Sequence, residues 1–286
     1  MPPAPVVTDL RVHLERPTKS DFDCSRDDDP GAQDWYRMDK DLCLHRGELK
    51  AYLYLKIKDQ ADLTAEDWVV TDIKTGLLRP ADSPWMKCDG GVSVRREKFT
   101  VGVDQVVTAV DVVFGEDVED PRPQWVTLQS PLWLRAHVDS PSARLTFLRG
   151  RGQPFPEIAP ELRLSESDGF KIVQISDLHL RTGFGTCQDA MERDGTNLGP
   201  IRADQETLRL VEEILESERP NLVVLTGDQI HHDVDDSQSA IFKAVTPMIV
   251  RRIPWTVIFG NHDDEGRHAS SRESPLSSQP GWKEHI

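Results

Sequence analysis

No Cys-x-x-Cys pair occurs in this sequence, and its four cysteines, Cys24, Cys43, Cys88 and Cys187, stand far apart. That spacing argues against a zinc knot or a disulfide framework and for free thiols in a reducing compartment. No apolar run reaches the ~20 residues that span a bilayer. The N-terminal "MPPAPVVTDLRVHLERP" lacks an apolar core of signal-peptide length. A cytoplasmic protein without a membrane segment is therefore expected. Positive charge is also scarce: 34 Lys and Arg against 49 Asp and Glu leave a net charge of -15. Such a surface repels phosphate backbones and argues against nucleic acid as a partner. Small phosphorylated ligands stay open, because bound cations invert the local field.

What is present is a globular composition, 37% hydrophobic and 29% charged over 286 residues, with room for one large domain or two ordinary ones. The first half is β-rich. In "ELKAYLYLKIK" (48–58), Leu49, Ala51, Leu53, Leu55 and Ile57 alternate onto one face. Segments 68–76, 91–103, 106–117, 125–134 and 143–150 have similar strand character, with Gly, Pro and Asp turns between them. Several short strands without a convincing helix predict an antiparallel sandwich. Trp68, Trp85, Trp125 and Trp133 read as packing residues, and 23–34 as a solvated loop. No internal repeat is evident. Apolar periodicity vanishes across the proline- and glycine-rich 150–169, which predicts a β-rich domain with linker over 1–165.

The second half changes character. "FKIVQIS" (170–176) and "LVVLTGDQI" (222–230) read as buried parallel strands, and "PWTVIFGNHDD" (254–264) as a third. Between them lie a helix over 204–218, with Asp204 as N-cap and Leu208, Val211, Ile214 and Leu215 as its stripe, and a helix over 236–252 containing Pro247. The order β-loop-α-β-α-β predicts a parallel sheet.

Each of these strands ends in candidate metal ligands: Asp177-Leu178-His179, Gly227-Asp228-Gln229 and Gly260-Asn261-His262-Asp263. Loops at the carboxyl ends of parallel strands gather on one edge, so three distant groups can converge. Asp177 and His179, two positions apart, point the same way from an extended strand end. Asp228 can bridge two ions and Asn261 can offer an amide oxygen. Mixed oxygen and nitrogen donors suit Mn, Fe or Zn. Two such ions can activate water and hold the attacking and leaving oxygens of a phosphoryl transfer. His262 is the candidate catalytic acid for the leaving group. His231 and His232 read as loop residues, Asp263 and Asp264 as turn or supporting residues, and His268 and His285 as solvated.

With "SDLHL", "TGDQ" and "FGNHDDEG" in that order, the segment from about 170 to 266 resembles the calcineurin-like metallophosphoesterases, and within them the fungal phosphatases described as purple-acid-phosphatase-like. The resemblance implies the first half of an α/β four-layer sandwich over 166–266, after a β-rich domain that it covers only vaguely. It implies a phosphatase of the phosphoric-ester hydrolase class, acting on a phosphoprotein or small phosphate ester. It also implies two divalent metals, the first on Asp177, His179 and Asp228, the second on Asp228 and Asn261. No tyrosine follows Asp228 closely, which disfavours an iron–tyrosinate centre. "GDQIHHD" and "GNHD" likewise disfavour the Ser/Thr protein phosphatase branch.

The family completes both metal positions with later histidines, including a Gly-His-x-His motif that does not occur after Asp263. The expectation is a truncated product with impaired activity, an irregular tail over 267–286, and an apolar sheet face left exposed. A second reading is a non-catalytic β-sandwich interaction or regulatory protein with a vestigial phosphoesterase half-domain.

Overall fold

The computed structural model describes residues 5–15, 34–46, 49–76, 84–100, 103–134, 140–151, 162, 169–187, 190–197 and 201–263. Cys24, Asp264, His268, His285, the tail 267–286 and nearly all of the loop 23–34 lie outside them. The chain divides into two compact units. One comprises Met1–Val112 with Gln124–Gly152, the other Val113–Pro123 with Gln153–Ile286. Composition places a boundary near 165; the division by contacts falls earlier and gives Val113–Pro123 to the second unit.

The first unit holds three sheets of three strands. They are built from β1 (Pro5–Glu15), β2 (Trp35–Arg37) and β3 (Lys50–Asp59); β4 (Trp68–Thr75), β5 (Trp85–Lys87) and β6 (Val92–Lys98); and β7 (Val107–Phe114), β8 (Trp125–Thr127) and β9 (Ala143–Arg149). The sheet orders are β1-β3-β2, β4-β6-β5 and β7-β9-β8, the same arrangement three times, with the last strand always central. Sequence periodicity misses β1, β2 and β5. In β1 a register shift between Val7 and Asp9 breaks the alternation. The other two, three residues each, are too short to show a period. In β3, Ala51, Leu53 and Leu55 are buried as expected, but so is Tyr52, and Ile57 is exposed. Val6, Val69 and Val106 form one buried cluster at which the three sheets meet. Trp68 and Trp133 are half exposed, and Trp85 carries Lys74 over its ring at 4.3 Å, a packing role at the surface rather than in the core.

The second unit contains β10 (Ile172–Ile175), α1 (Ala203–Glu218), β11 (Leu222–Thr226), α2 (Ser237–Arg251) and β12 (Trp255–Ile258). The strands form a parallel sheet in the order β10-β11-β12. Val223 and Leu225 share one core with Val211 and Leu215 of α1 and Val245 and Met248 of α2, so both helices cover the same sheet face. On the opposite face Ile172 and Ile258 remain 55% and 59% exposed beside the polar Gln174, Thr226 and Thr256. Asp236 caps α2, its carboxylate accepting the Ser239 N–H at 2.9 Å, and Pro247 sits inside the helix without ending it. Among the described residues no helix is long and apolar enough to cross a membrane.

One helix start differs from expectation. Arg202, not Asp204, holds the N-cap position of α1, with no side-chain cap. Asp204 lies buried in the first turn, where its carboxylate accepts hydrogen bonds from the Lys243 ammonium and the Arg181 N–H. A buried cation is a stronger partner for a carboxylate than a helix-end amide.

Candidate metal centre

The carboxyl ends of β10, β11 and β12 release three loops side by side. Backbone pairing continues beyond the first two strands. The Asp177 N–H donates to the Gly227 carbonyl at 3.1 Å, His179 N–H to the Asp228 carbonyl at 3.0 Å, and Leu180 N–H to the Gln229 carbonyl at 3.0 Å. The loops are thus zipped together while their backbones turn. The turn is made by Asp177 (φ 58°), His179 (φ 47°) and Asp228 (φ 54°), all left-handed, so Asp177 and His179 do not project from an extended strand end as the sequence reading has them. Such a conformation costs a non-glycine residue roughly 1–2 kcal/mol, and it persists only where surrounding contacts enforce it. Eight described non-glycine residues have positive φ, and two of them, Arg219 and Arg252, are ordinary helix C-caps. Half of the remaining six are therefore the predicted first-metal ligands.

The turns bring the predicted ligands together. The donor atoms of Asp177, His179 and Asp228 all lie within 4.8 Å of one another. Asp177 Oδ1 is 3.7 Å from His179 Nε2, and the Asp177 side chain is 65% exposed, open to solvent and ligands. No lysine or arginine pairs with Asp177 or Asp228 among the described residues. Two carboxylates and an imidazole converging without a cationic side chain are a donor set that fits a divalent transition-metal ion.

The third loop closes on Asp228. The His262 N–H donates to Asp228 Oδ1 at 3.1 Å, and the His262 ring lies 5.3 Å from that of His179, centroid to centroid. Asn261 is exposed between Gly260 and His262, both of which adjoin Asp228. The approach depends on Gly260: a Cβ there would fall 2.1 Å from Asp228 Oδ1. Gly227 has φ 113°, and a Cβ on it would come within 3.0 Å of the Gly260 Cα. Asp263 binds the assembly from beneath. Its buried carboxylate accepts the N–H groups of Asp228 (2.9 Å), Gly260 (2.8 Å) and Ile230 (3.1 Å).

His231 and His232, read from the sequence as loop residues, also reach this edge. Their rings are 4.1 Å apart; His231 lies 6.0 Å from His179, and His232 lies 5.3 Å from His262. With Asp233 they form a second group whose donor atoms lie within 4.8 Å of one another. His231 Nδ1 is 2.5 Å from Asp233 Oδ1, and Arg181 reaches that carboxylate at 2.8 Å. Burial, and then the Arg181 charge, hold the His231 imidazole below its usual pKa despite Asp233. Burial works the other way on Asp233, where Arg181 and His231 outweigh it and keep the carboxyl below its usual range. The signal was visible as "HHD" behind Gly227-Asp228; what the sequence could not show is that the loop folds back onto the site.

Residues 170–285 match the family model described as calcineurin-like phosphoesterase. The chain is 38% identical over 192 residues to phosphatase DCR2 of Saccharomyces cerevisiae, covering 65% of this chain and 32% of the yeast protein. It is 30% identical over 191 residues to an uncharacterised protein of Schizosaccharomyces pombe, covering 63% and 37% respectively. It is 36% identical over 116 residues to "Probable inactive purple acid phosphatase 29" of Arabidopsis thaliana, covering 39% and 29%. The chain thus spans about a third of the length of these curated relatives.

Proposed function

We propose that the chain, whose residues 170–285 match the calcineurin-like phosphoesterase model, carries a metal-dependent centre for phosphoric-ester hydrolysis. The observation behind this reading is the convergence of Asp177, His179 and Asp228, whose donor atoms lie within 4.8 Å through three left-handed backbone turns. In this reading Asp177, His179 and Asp228 would hold one ion, and Asp228 with the Asn261 amide oxygen would hold a second. Mn, Fe and Zn fit the donor set. When bound, the ions supply Lewis acidity toward a phosphoryl oxygen and lower the pKa of water.

The chain's own residues do the rest. Asp228, anchored by the His262 N–H, fixes the third loop against the first two. That bond sets the His262 imidazole beside His179, where it can hold a proton for the departing oxygen. Asp263 spends no donor capacity on a ligand and instead orients the backbone of Asp228 and Gly260. The substrate is a phosphoprotein or a small phosphate ester, entering at the exposed carboxyl edge of the sheet. Bound cations offset the negative surface on its approach.

The word "inactive" in the name of a plant relative favours a second reading, a regulatory or interaction protein that keeps metal affinity without turnover. Purified chain with Mn, or with Fe and Zn, should hydrolyse a generic aryl phosphate, and Asp228→Asn should abolish the metal-dependent part. Mn binding that depends on Asp228 but gives no turnover above a blank selects the second reading. Absence of both metal binding and turnover refutes the site.

A further inference from the structure

We propose that Asp117 and Lys243 are positioning residues for the loop that carries Asp177 and His179, so that residues 113–123 are a working part of the centre; this deepens the reading of that loop as metal-binding. Lys243, on α2, is only 3% exposed. Its ammonium donates to Asp117 Oδ2 at 3.0 Å, to the Gly183 carbonyl at 2.6 Å and to the Asp204 carboxylate. A buried ammonium persists only when fully paired, so these three acceptors are held in fixed relation. Asp204 in turn accepts the Arg181 N–H at 2.9 Å. One cation therefore fixes the loop backbone at residues 181 and 183, within four positions of His179.

Asp117 arrives from the end of β7 and is seated by contacts independent of Lys243. Val113 and Val118 pack on Phe242. The Phe114 N–H donates to Ser239 Oγ at 2.8 Å. The Arg122 guanidinium lies over the Phe242 ring at 5.2 Å. The strap also touches the loop itself, since a Cβ on Gly115 would come within 3.2 Å of the Gly183 nitrogen. Asp177 and His179 occupy backbone conformations that need outside enforcement. The clamp meets the chain just beyond them and supplies that enforcement. Residues standing behind metal ligands in this way typically change metal affinity about 10–100-fold when altered.

The test uses the full chain with Mn2+ alone as the probe. Asp117→Asn keeps the side-chain volume and removes the charge facing Lys243, and Lys243→Met removes the cation. Titration calorimetry should show Mn2+ binding at least about 10-fold weaker in both. Hydrogen exchange in the metal-free chain should show the Arg181 amide opening faster by a similar factor. Leu215→Ala, a core change on α1 that leaves every bond of the clamp in place, controls for general destabilisation and should leave Mn2+ affinity within about twofold. The proposal is overturned if Asp117→Asn binds Mn2+ within about twofold of the parent, or if Leu215→Ala weakens binding equally. If Lys243→Met does not fold, Asp117→Asn decides. If the parent chain shows no Asp228-dependent Mn2+ binding, the reading of the site fails instead, and Arg181 exchange alone decides the clamp.

Discussion

Replacing Asp263 with alanine removes the carboxylate that ties the loop after β11 to the loop after β12. In the native chain one oxygen accepts the N–H groups of Asp228 and Gly260, at 2.9 and 2.8 Å, and the other accepts that of Ile230 at 3.1 Å. Asp263 is 9% exposed, so water does not simply take its place. A hydrogen bond to a charged group contributes about 1.5–3 kcal/mol, which sets an upper bound of roughly 4.5–9 kcal/mol for three. The true loss is smaller, because folding already bears the cost of burying the carboxylate, and because the vacated N–H groups of partly exposed residues recover some water. A loss of about 3–4 kcal/mol is expected, a large share of the ~5–15 kcal/mol that holds a typical domain together. Urea unfolding of the full chain, followed by the helical circular dichroism of α1 and α2, measures it. Asp263→Asn keeps one oxygen and should fall between, at about 1–2 kcal/mol. A loss below about 1 kcal/mol for Asp263→Ala would refute the idea that this carboxylate locks the loops.

Two further expectations concern sterics and pH. Gly260→Ala sets a methyl 2.1 Å from Asp228 Oδ1 and 2.5 Å from the Asp228 nitrogen. The oxygen can rotate away but the nitrogen cannot, so the loops must part, at a cost of about 1–3 kcal/mol. Thermal unfolding should show this loss, and Mn2+ titration a matching weakening; an unchanged melting temperature would mean the loops were never in close contact. Asp67 is drawn down to about 2, first by the Thr64 N–H, then by the Thr64 hydroxyl and Lys58. A depressed carboxyl stabilises the fold above its unfolded pKa of about 4 and loses that contribution as pH falls toward 2. The stability gap between the parent and Asp67→Asn should therefore be full at pH 5 and close by pH 2; a gap independent of pH would contradict the sign.

The second unit was legible because its signals reinforce one another. Short apolar runs mark β10, β11 and β12, helical periodicity marks α1 and α2, and each strand breaks at glycine or at a polar ligand type. That Asp177, His179 and Asp228 share one edge follows from the parallel strands; their approach to within 4.8 Å also takes the left-handed turns. What the sequence could not show was long-range. Asp204 looks like an N-cap because a cap is a local pattern, whereas its real partner, Lys243, lies 39 positions on. Val113–Pro123 looks like the end of a strand in a β-rich region, yet its valines pack on Phe242. Asp263 looks like a turn former, because its three backbone donors, two of them on the loop after β11, declare nothing in their side chains. The left-handed turns at Asp177, His179 and Asp228 were equally hidden: aspartate tolerates that region, but nothing in a histidine announces it.

The parallel sheet has a consequence for how the chain is made. Ile172 pairs with Leu222, and Val223 with Trp255, so β10 has no partner until 50 more residues have been polymerised. At synthesis rates of about 5–20 residues per second, that is a wait of roughly 3–10 s. Throughout that interval Ile172 and Ile175 leave the ribosome without a strand beside them, and Asp177, His179 and Asp228 cannot begin to converge before β11 emerges. Helix α1, complete in itself before β11 appears, is the first element of this unit that can form during translation.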